Sequence, residues 1–326
     1  MIDISKHTME ALVGVEIPVG NAGFVRLIDW MGGDHSVVQG ARMSYGKGTR
    51  TTREDKDLID FLWRNHHASP FELASIALNI RLPIFVMRQL ARYRTAKLNE
   101  YSMRYSVAID DMFVPDEWRA NTAANKQSSE GICDENGQLT MVYDLALDSS
   151  KDAYNLLIDN GVAREQARCV LPVAQYTEIV WKMDLRNMLN FLRQRLHHHA
   201  QKEIRDFAEV IAEIVKKWCP LSYAAFEEHT LESMTLSRSE IKLVHYLNTM
   251  DANGLHTHLQ YPEALSTINT LKEMGVIGEE YNLYSKRTKT QDLLAKLDTL
   301  GLCGMLSWFL HQFKDLHESI TKGEQE

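Results

Sequence analysis

The sequence predicts an α+β fold in which helices outweigh strands. Apolar residues recur at helical spacing over long stretches, above all in 182–218 and after about residue 235. Two short segments, 24–30 and the run around Ile76, Leu78 and Ile80, read instead as strands. No G-x-G-x-x-G follows a strand and no Walker loop occurs, so a doubly wound nucleotide fold has no support. Gly46 and Gly48 alone are too little for a phosphate loop.

The elements follow in order. FVRLIDW at 24–30 is a short strand. Asp34 then caps a helix that runs through Val37, Val38 and Ala41 and ends before Gly46. Leu58, Ile59, Phe61 and Leu62 form the apolar stripe of a helix over 53–65. Alternation at Ile76, Leu78 and Ile80 marks a second strand. Pro83 starts the next helix, through Ile84, Val86 and Leu90, because proline is tolerated in a first turn. Residues 118–140, rich in Asn, Ser and Gly, read as a loop or flexible insertion. From about 142 onward the pattern is helical. The stretch 182–218 reads as one long helix or two joined ones, with Met188, Leu192 and Leu196 on its apolar side. Trp218-Cys219-Pro220 ends it. Beyond 235 lie further helices. TLSRSEIKLVHYL (235–247) and LYSKRTKTQDLLAKL (283–297) look faintly alike, which the shared composition of helices explains.

Composition excludes some functions. The formal net charge is −8, so the bulk field repels nucleic acid and an anionic ligand needs a local basic cluster. Cys133, Cys169, Cys219 and Cys303 are scattered without a C-x-x-C, which gives neither a zinc site nor a disulfide framework. The N-terminal segment lacks the basic start and apolar run of a signal peptide. No stretch approaches the ~18 apolar residues of a membrane span. A cytoplasmic protein is expected.

The local basic cluster is at 88–106, RQLARYRTAKLNEYSMRYS. It holds Arg88, Arg92, Arg94, Lys97 and Arg104, with Glu100 as its only acid. Guanidinium groups grip phosphate through forked, charge-assisted hydrogen bonds. Ser102, Tyr105 and Ser106 add hydroxyls, and the amides of Gln89 and Asn99 can read the edge of a base or a flavin. A charge run is ordinarily a solvated helix face. Here the cations are interleaved with Asn, Glu, Ser and Tyr, and they span a helix end where loop residues can converge.

Residues 92–106 resemble the signature of the flavin-dependent thymidylate synthases, R-H-R-x-x-S-x-N-E-x-S-x-R-Y-S. Arg92, Arg94, Asn99, Glu100, Ser102, Arg104, Tyr105 and Ser106 match it. Tyr93 stands where the family has His, and Lys97 where it has Ser. The resemblance extends to Ala41-Arg42-Met43-Ser44-Tyr45, to His67-Ala68-Ser69-Pro70-Phe71-Glu72, to Ala167-Arg168-Cys169-Val170-Leu171-Pro172, and to the run from Arg195 to Arg205 that contains His199-Ala200-Gln201. Of His66 and His67, only His67 falls on a family position. Together these cover roughly 22–235 in the family's order. The resemblance implies an α/β core with an antiparallel sheet and long helices, forming a catalytic domain over 1–235. A helical C-terminal extension of unassigned role follows over 236–326.

The resemblance also implies FAD, dUMP, methylenetetrahydrofolate and NADPH, in a homotetramer with shared active sites. In such a protein NADPH reduces FAD, and the folate's one-carbon unit passes to carbon 5 of dUMP. The hard chemistry belongs to the flavin, while the protein supplies position and charge. Carried over residue by residue, Ser44, Ser69, Glu72, Arg92, Tyr93, Arg94, Asn190 and His199 line FAD. Gln89, Glu100, Ser102, Arg104, Arg168 and Arg195 hold dUMP. Arg104 is the expected phosphate fork. Arg195 is expected beside the uracil carbonyls, where it stabilises developing negative charge. Ser102 is read as a binding hydroxyl, since no base is assigned to it. No cysteine lies in the signature, in keeping with a family that uses no cysteine nucleophile on the pyrimidine.

On a continuous helix Arg195 and His199 share a face, and Arg186, Asn190, His197 and Gln201 form a polar stripe. His197-His198-His199 on that helix point about 100° apart and cannot converge on one ion. His199 with Glu203 offers only two ligands. No metal is therefore expected. Three alternatives stay open at the level of sequence. Tyr93 and Lys97 could let water capture the methylene intermediate, giving 5-hydroxymethyl-dUMP. The chain could be a non-catalytic flavin and nucleotide binder. It could also bind RNA through Tyr93, Tyr101 and Tyr105 as stacking platforms, which the net negative charge opposes.

Overall fold

The computed structural model describes residues 3–43, 55–121, 129–133, 135–252, 261–274, 276–278, 283 and 288–323. The chain divides into two compact units, one ending at Ser233 and the other beginning at Met234.

The described residues of the first unit form the strands β1 Glu16–Val19, β2 Gly23–Met31, β3 Ser75–Pro83, β4 Lys97–Glu100, β5 Arg119–Asn121, β6 Ser129–Ile132 and β7 Tyr176–Asp184. Its helices are α1 Met9–Leu12, α2 Asp34–Met43, α3 Asp55–Arg64, α4 Ile84–Leu90, α5 Asn136–Asp159, α6 Arg164–Ala167, α7 Leu185–Arg195, α8 Lys202–Trp218 and α9 Pro220–Phe226. Five strands form one sheet in the order β1-β2-β3-β7-β4, with every neighbouring pair antiparallel. The α+β expectation holds.

The sheet exists because its strands alternate. In β3, Ile76, Leu78 and Ile80 are fully buried, and opposite them in β7 so are Ile179, Trp181 and Met183, to within a few per cent. These side chains join Leu58, Ile59 and Leu62 of α3, Met188, Leu189 and Phe191 of α7, and Ile204, Ile211 and Val215 of α8 in one core. Burying such side chains contributes roughly 1.5–3 kcal/mol each. The other side of the sheet is polar: the Arg26 guanidinium donates to Asn79 Oδ1 at 2.9 Å and pairs with Glu16 and Glu178, each at 3.4 Å.

Several local expectations need correction. Asp34 does not cap its own helix. Its carboxylate accepts from the backbone N–H groups of Leu221 (2.7 Å) and Ser222 (2.9 Å) and from Ser222 Oγ (2.6 Å), at the first turn of α9. It therefore satisfies orphan donors of a helix almost two hundred residues away, which no local pattern can show. Asp34→Ala is expected to lower unfolding free energy by about 1–3 kcal/mol, because buried donors lose a charged acceptor. Urea unfolding checks this; an unchanged midpoint would remove Asp34 as the cap.

The region 118–140 is not simply a loop. Its described residues include the antiparallel pair β5 and β6, and α5 begins at Asn136, whose Oδ1 accepts from Trp118 N at 2.9 Å. The helical reading beyond 142 overlooked β7, whose alternation Tyr176-x-x-Ile179-x-Trp181-x-Met183 is a strand signal between helices. The stretch 182–218 is consequently a strand end, then α7, a break, and α8. Pro83 is the last residue of β3 and precedes α4 as its N-cap.

The second unit is helical: α10 Arg238–Ala252, α11 Tyr261–Glu273, α12 Thr288–Thr299 and α13 Cys303–Gly323. Leu243, Leu247, Ile268, Leu271, Leu293, Leu297, Leu306, Phe309 and Phe313 form its own core. Ser237 and Glu240 make a reciprocal capping box at the start of α10: Ser237 N donates to Glu240 Oε2 (2.6 Å), and Glu240 N donates to Ser237 Oγ (3.3 Å). Glu240 also takes Lys296 Nζ at 2.8 Å. Among the described residues no single helix is long and apolar enough to cross a membrane.

Candidate active site

The basic segment is built as turn, strand and turn. After α4, Tyr93 N donates to Leu90 O and Ala96 N to Tyr93 O, which folds 91–96 into tight turns. β4 then pairs with β7 at the edge of the sheet, with Asn99 opposite Val180 and Glu100 opposite Ile179. Ser102 O accepts from the N–H groups of Tyr105 (3.2 Å) and Ser106 (3.1 Å), closing the second turn. Lys97 faces Lys182 across the strands. Like charges directly opposite are unfavourable, so this edge concentrates positive charge.

Two groups of predicted residues come together. The first joins α4 and the following turn to the end of α7. Arg195 Nε donates to Tyr93 Oη at 2.9 Å, and the Arg195 guanidinium lies over the Tyr93 ring at 5.5 Å from its centroid. Tyr93 Oη donates to Gln194 Oε1 at 3.2 Å, and the ring packs edge-on against Phe191 at 5.1 Å. Phe191 packs in the same way against Trp181. Asn190 Oδ1 accepts from Arg193 (3.1 Å) and Gln194 (3.4 Å). Gln89 Nε2 donates to Gln201 Oε1 at 2.6 Å. Burial pushes the Tyr93 hydroxyl up, against the lowering influence of Arg195 and Arg193, so it stays protonated at neutral pH.

The second group joins the turn 102–106 to α6, which the short 3-10 helix Arg168–Val170 follows directly. Arg104 Nε approaches Glu165 Oε2 at 3.9 Å and lies over the Tyr105 ring, while Arg164 donates to Tyr105 O at 3.2 Å. Ser102 Oγ accepts weakly from Arg104 N at 3.4 Å. Arg168 is half-buried at the start of its 3-10 helix. Glu100 links this region to the sheet by accepting from Thr177 Oγ1 at 2.9 Å. Ser69 and Glu72 stand apart, exposed on the 3-10 helix Ser69–Leu73 that packs against α2 and α7. Arg92 and Arg94 are exposed and form no ion pair among the described residues, which leaves their guanidinium groups open to phosphate. Ser44 lies outside the described residues.

The late segment departs from expectation. α7 ends at Arg195, and α8 begins only at Lys202. His199 therefore does not share a helix face with Arg195, and the polar stripe from Arg186 and Asn190 stops before His197 and Gln201. Glu203 pairs with Arg119 at 2.5 Å instead of with His199. The helical argument against convergence of three histidines also fails. The ligating atoms of His197, His198 and His199 all lie within 4.8 Å of one another in the exposed turn. Partial desolvation, then the charge of the neighbouring rings, holds His197 and His198 below the ordinary imidazole value.

Sequence reasoning passed over Gln194 and Thr177 as partners of the site. Gln194 sits on the polar side of α7 next to Arg195. Thr177 was hidden because its strand went unseen.

Comparisons with known proteins identify the family. The family model "Thymidylate synthase complementing protein" matches residues 26–221. The flavin-dependent thymidylate synthase of Thermus thermophilus is 47% identical over 252 residues, covering 77% of this chain and 90% of that protein. The enzyme of the same name from Ehrlichia ruminantium is 45% identical over 240 residues, covering 72% and 81%. Among solved structures, a UMP/dUMP methylase from Streptomyces cacaoi bound with 5-Br dUMP is 31% identical, with a TM-score of 0.60, covering 66% of this chain and 98% of that one. By its signature, its sheet and these relatives, the chain belongs to the flavin-dependent thymidylate synthase family.

Proposed function

We propose that this chain converts dUMP to dTMP, with methylenetetrahydrofolate as one-carbon donor, FAD as the flavin and NADPH as its reductant. The observation that carries this reading is the convergence of Arg195, Tyr93, Gln194 and Asn190 beside Arg92 and Arg94, which are exposed and form no ion pair among the described residues. Arg92, Arg94 and Asn190 suit a flavin nucleotide, since exposed guanidinium groups take phosphate and an amide pairs with a ring edge. A bound flavin supplies the hydride that completes the methyl group. The residues of this chain do the rest. Arg104 and Arg168 hold the nucleotide's phosphate and sugar end, with Gln89, Glu100 and Ser102 as binding groups. Arg195 places positive charge against the pyrimidine as its ring becomes negative. Ser69, Glu72, Tyr93, Asn190 and His199 line the flavin, with Ser44 in the same role.

In this reading residues 1–235 are the catalytic domain and residues 236–326 a separate helical extension, in a cytoplasmic homotetramer. Support for assembly comes from α5, where Met141, Val142, Leu145 and Leu156 are all more than half exposed. At 100° per residue they fall on one side of the helix, an apolar stripe that a second copy would cover. Shared sites also suit predicted residues that fall into separate groups within one chain. The names of the relatives favour methylation over the hydroxymethylated product or a silent binder.

The test is product mass. Purified protein with dUMP, methylenetetrahydrofolate, NADPH and FAD at low oxygen is expected to yield a nucleotide heavier than dUMP by one CH2 unit. A hydroxymethyl increment would replace thymidylate synthesis with a different outcome of the same chemistry. No product, with NADPH still oxidised, would leave a flavoprotein whose substrate is not dUMP.

A further inference from the structure

Tyr93 occupies the signature position where the family has His, and its surroundings give it a definite task. Its ring is held edge-on by Phe191, which is itself held by the fully buried Trp181. Its hydroxyl has one donor partner and one acceptor partner, Arg195 Nε at 2.9 Å and Gln194 Oε1 at 3.2 Å. Arg195 is the last residue of α7 and has no carboxylate within ion-pair distance among the described residues. Tyr93 is the partner that orients its guanidinium, from below through the ring and from the side through Nε.

We propose that Tyr93 is a positioning residue that aims Arg195. The hydrogen bond takes Nε, which leaves the four N–H groups of the two terminal nitrogens as a fork toward the substrate. The choice of partner matters. A carboxylate would hold Nε equally well but would cancel the positive charge. A protonated phenol accepts the hydrogen bond and leaves the charge uncompensated. This inference rests on the reading of Arg195 as the group that meets the pyrimidine.

Tyr93→Phe removes only the oxygen and keeps the ring's packing, so the melting temperature should stay close to that of the parent. With the aim lost, kcat for dTMP is expected to fall about 10–100-fold, while the dissociation constant for FAD changes less, because the ring that lines the flavin is kept. The decisive measurement is a double-mutant cycle. In an Arg195→Ala background, Tyr93→Phe is expected to cause no further loss, because there is no guanidinium left to aim. Multiplying losses in the double variant would overturn the proposal. So would weakened FAD binding at unchanged kcat, which would make Tyr93 a flavin-lining residue only. Were the parent protein to bind dUMP without making dTMP, the proposed function would fall, but the cycle can still be read in dUMP affinity by equilibrium dialysis. Coupled losses there support the aiming role and additive ones overturn it.

Discussion

Arg195→Ala is expected to lower kcat for dTMP formation by about 10²–10³-fold, the scale of removing one preorganised donor to developing charge. The guanidinium is half-buried and is held at Nε by Tyr93. No acid among the described residues offsets its charge. The low-dielectric wall of Trp181, Phe191 and Tyr93 behind it strengthens its field toward the ligand side. Interactions that grow in the transition state appear in kcat, so FAD affinity should change far less. Arg195→Lys should recover little, because an ammonium is a point charge that cannot use the Tyr93 bond and present a fork at once. Steady-state kinetics with a flavin fluorescence titration checks both parts. If alanine cost only about twofold in kcat, Arg195 would not be the group that meets the ring.

The second large effect concerns stability. Arg119→Ala is expected to lower unfolding free energy by about 3–5 kcal/mol at neutral pH, because it leaves a buried carboxylate without its cation. The Arg119 and Glu203 side chains are 22% and 10% exposed, and the pair joins the two-stranded sheet to the first turn of α8. Glu203 Oε2 already lacks a hydrogen-bond partner, so Arg119 is what makes the charge tolerable. Burial pushes the Glu203 carboxyl up, but the hydrogen bond from Arg119, bonds from its own backbone and Gln201, and the cation's charge together bring it below its ordinary value. A carboxyl depressed in the folded state contributes stability above its unfolded pKa. That contribution is lost as pH falls through the depressed value. In Arg119→Ala both contributions of the cation are lost while burial remains, so the carboxyl moves up and protonation relieves part of the penalty. The gap between parent and variant should therefore be widest near neutrality and narrow in acid. Urea unfolding across pH measures it, and a gap independent of pH would show that the loss comes from packing rather than charge.

Much of this molecule was written locally. Period-two alternation located β2 and β3, and helical spacing located α2, α3 and α4, because burial on one face leaves that imprint in a short window. The S-x-x-E capping box at Ser237 and Glu240 was equally readable in principle, as was the alternation of β7, which lay concealed between two helical stretches. The chemistry of the site was legible as residue types: arginines, amides and hydroxyls crowded into 88–106, in the order of a family signature.

What the sequence could not determine were partners distant along the chain. Asp34 caps α9, Gln89 meets Gln201, Arg119 neutralises Glu203 and Tyr93 aims Arg195. The break between α7 and α8, which separates Arg195 from His199 and lets three histidines converge, also escaped the helical pattern. A helix's period sets which side chains share a face only while the helix lasts. Where it stops, and which distant group satisfies the exposed ends, is decided by packing and by the need to pair every buried polar atom. Those conditions act between elements, and only the tertiary structure brings the elements together.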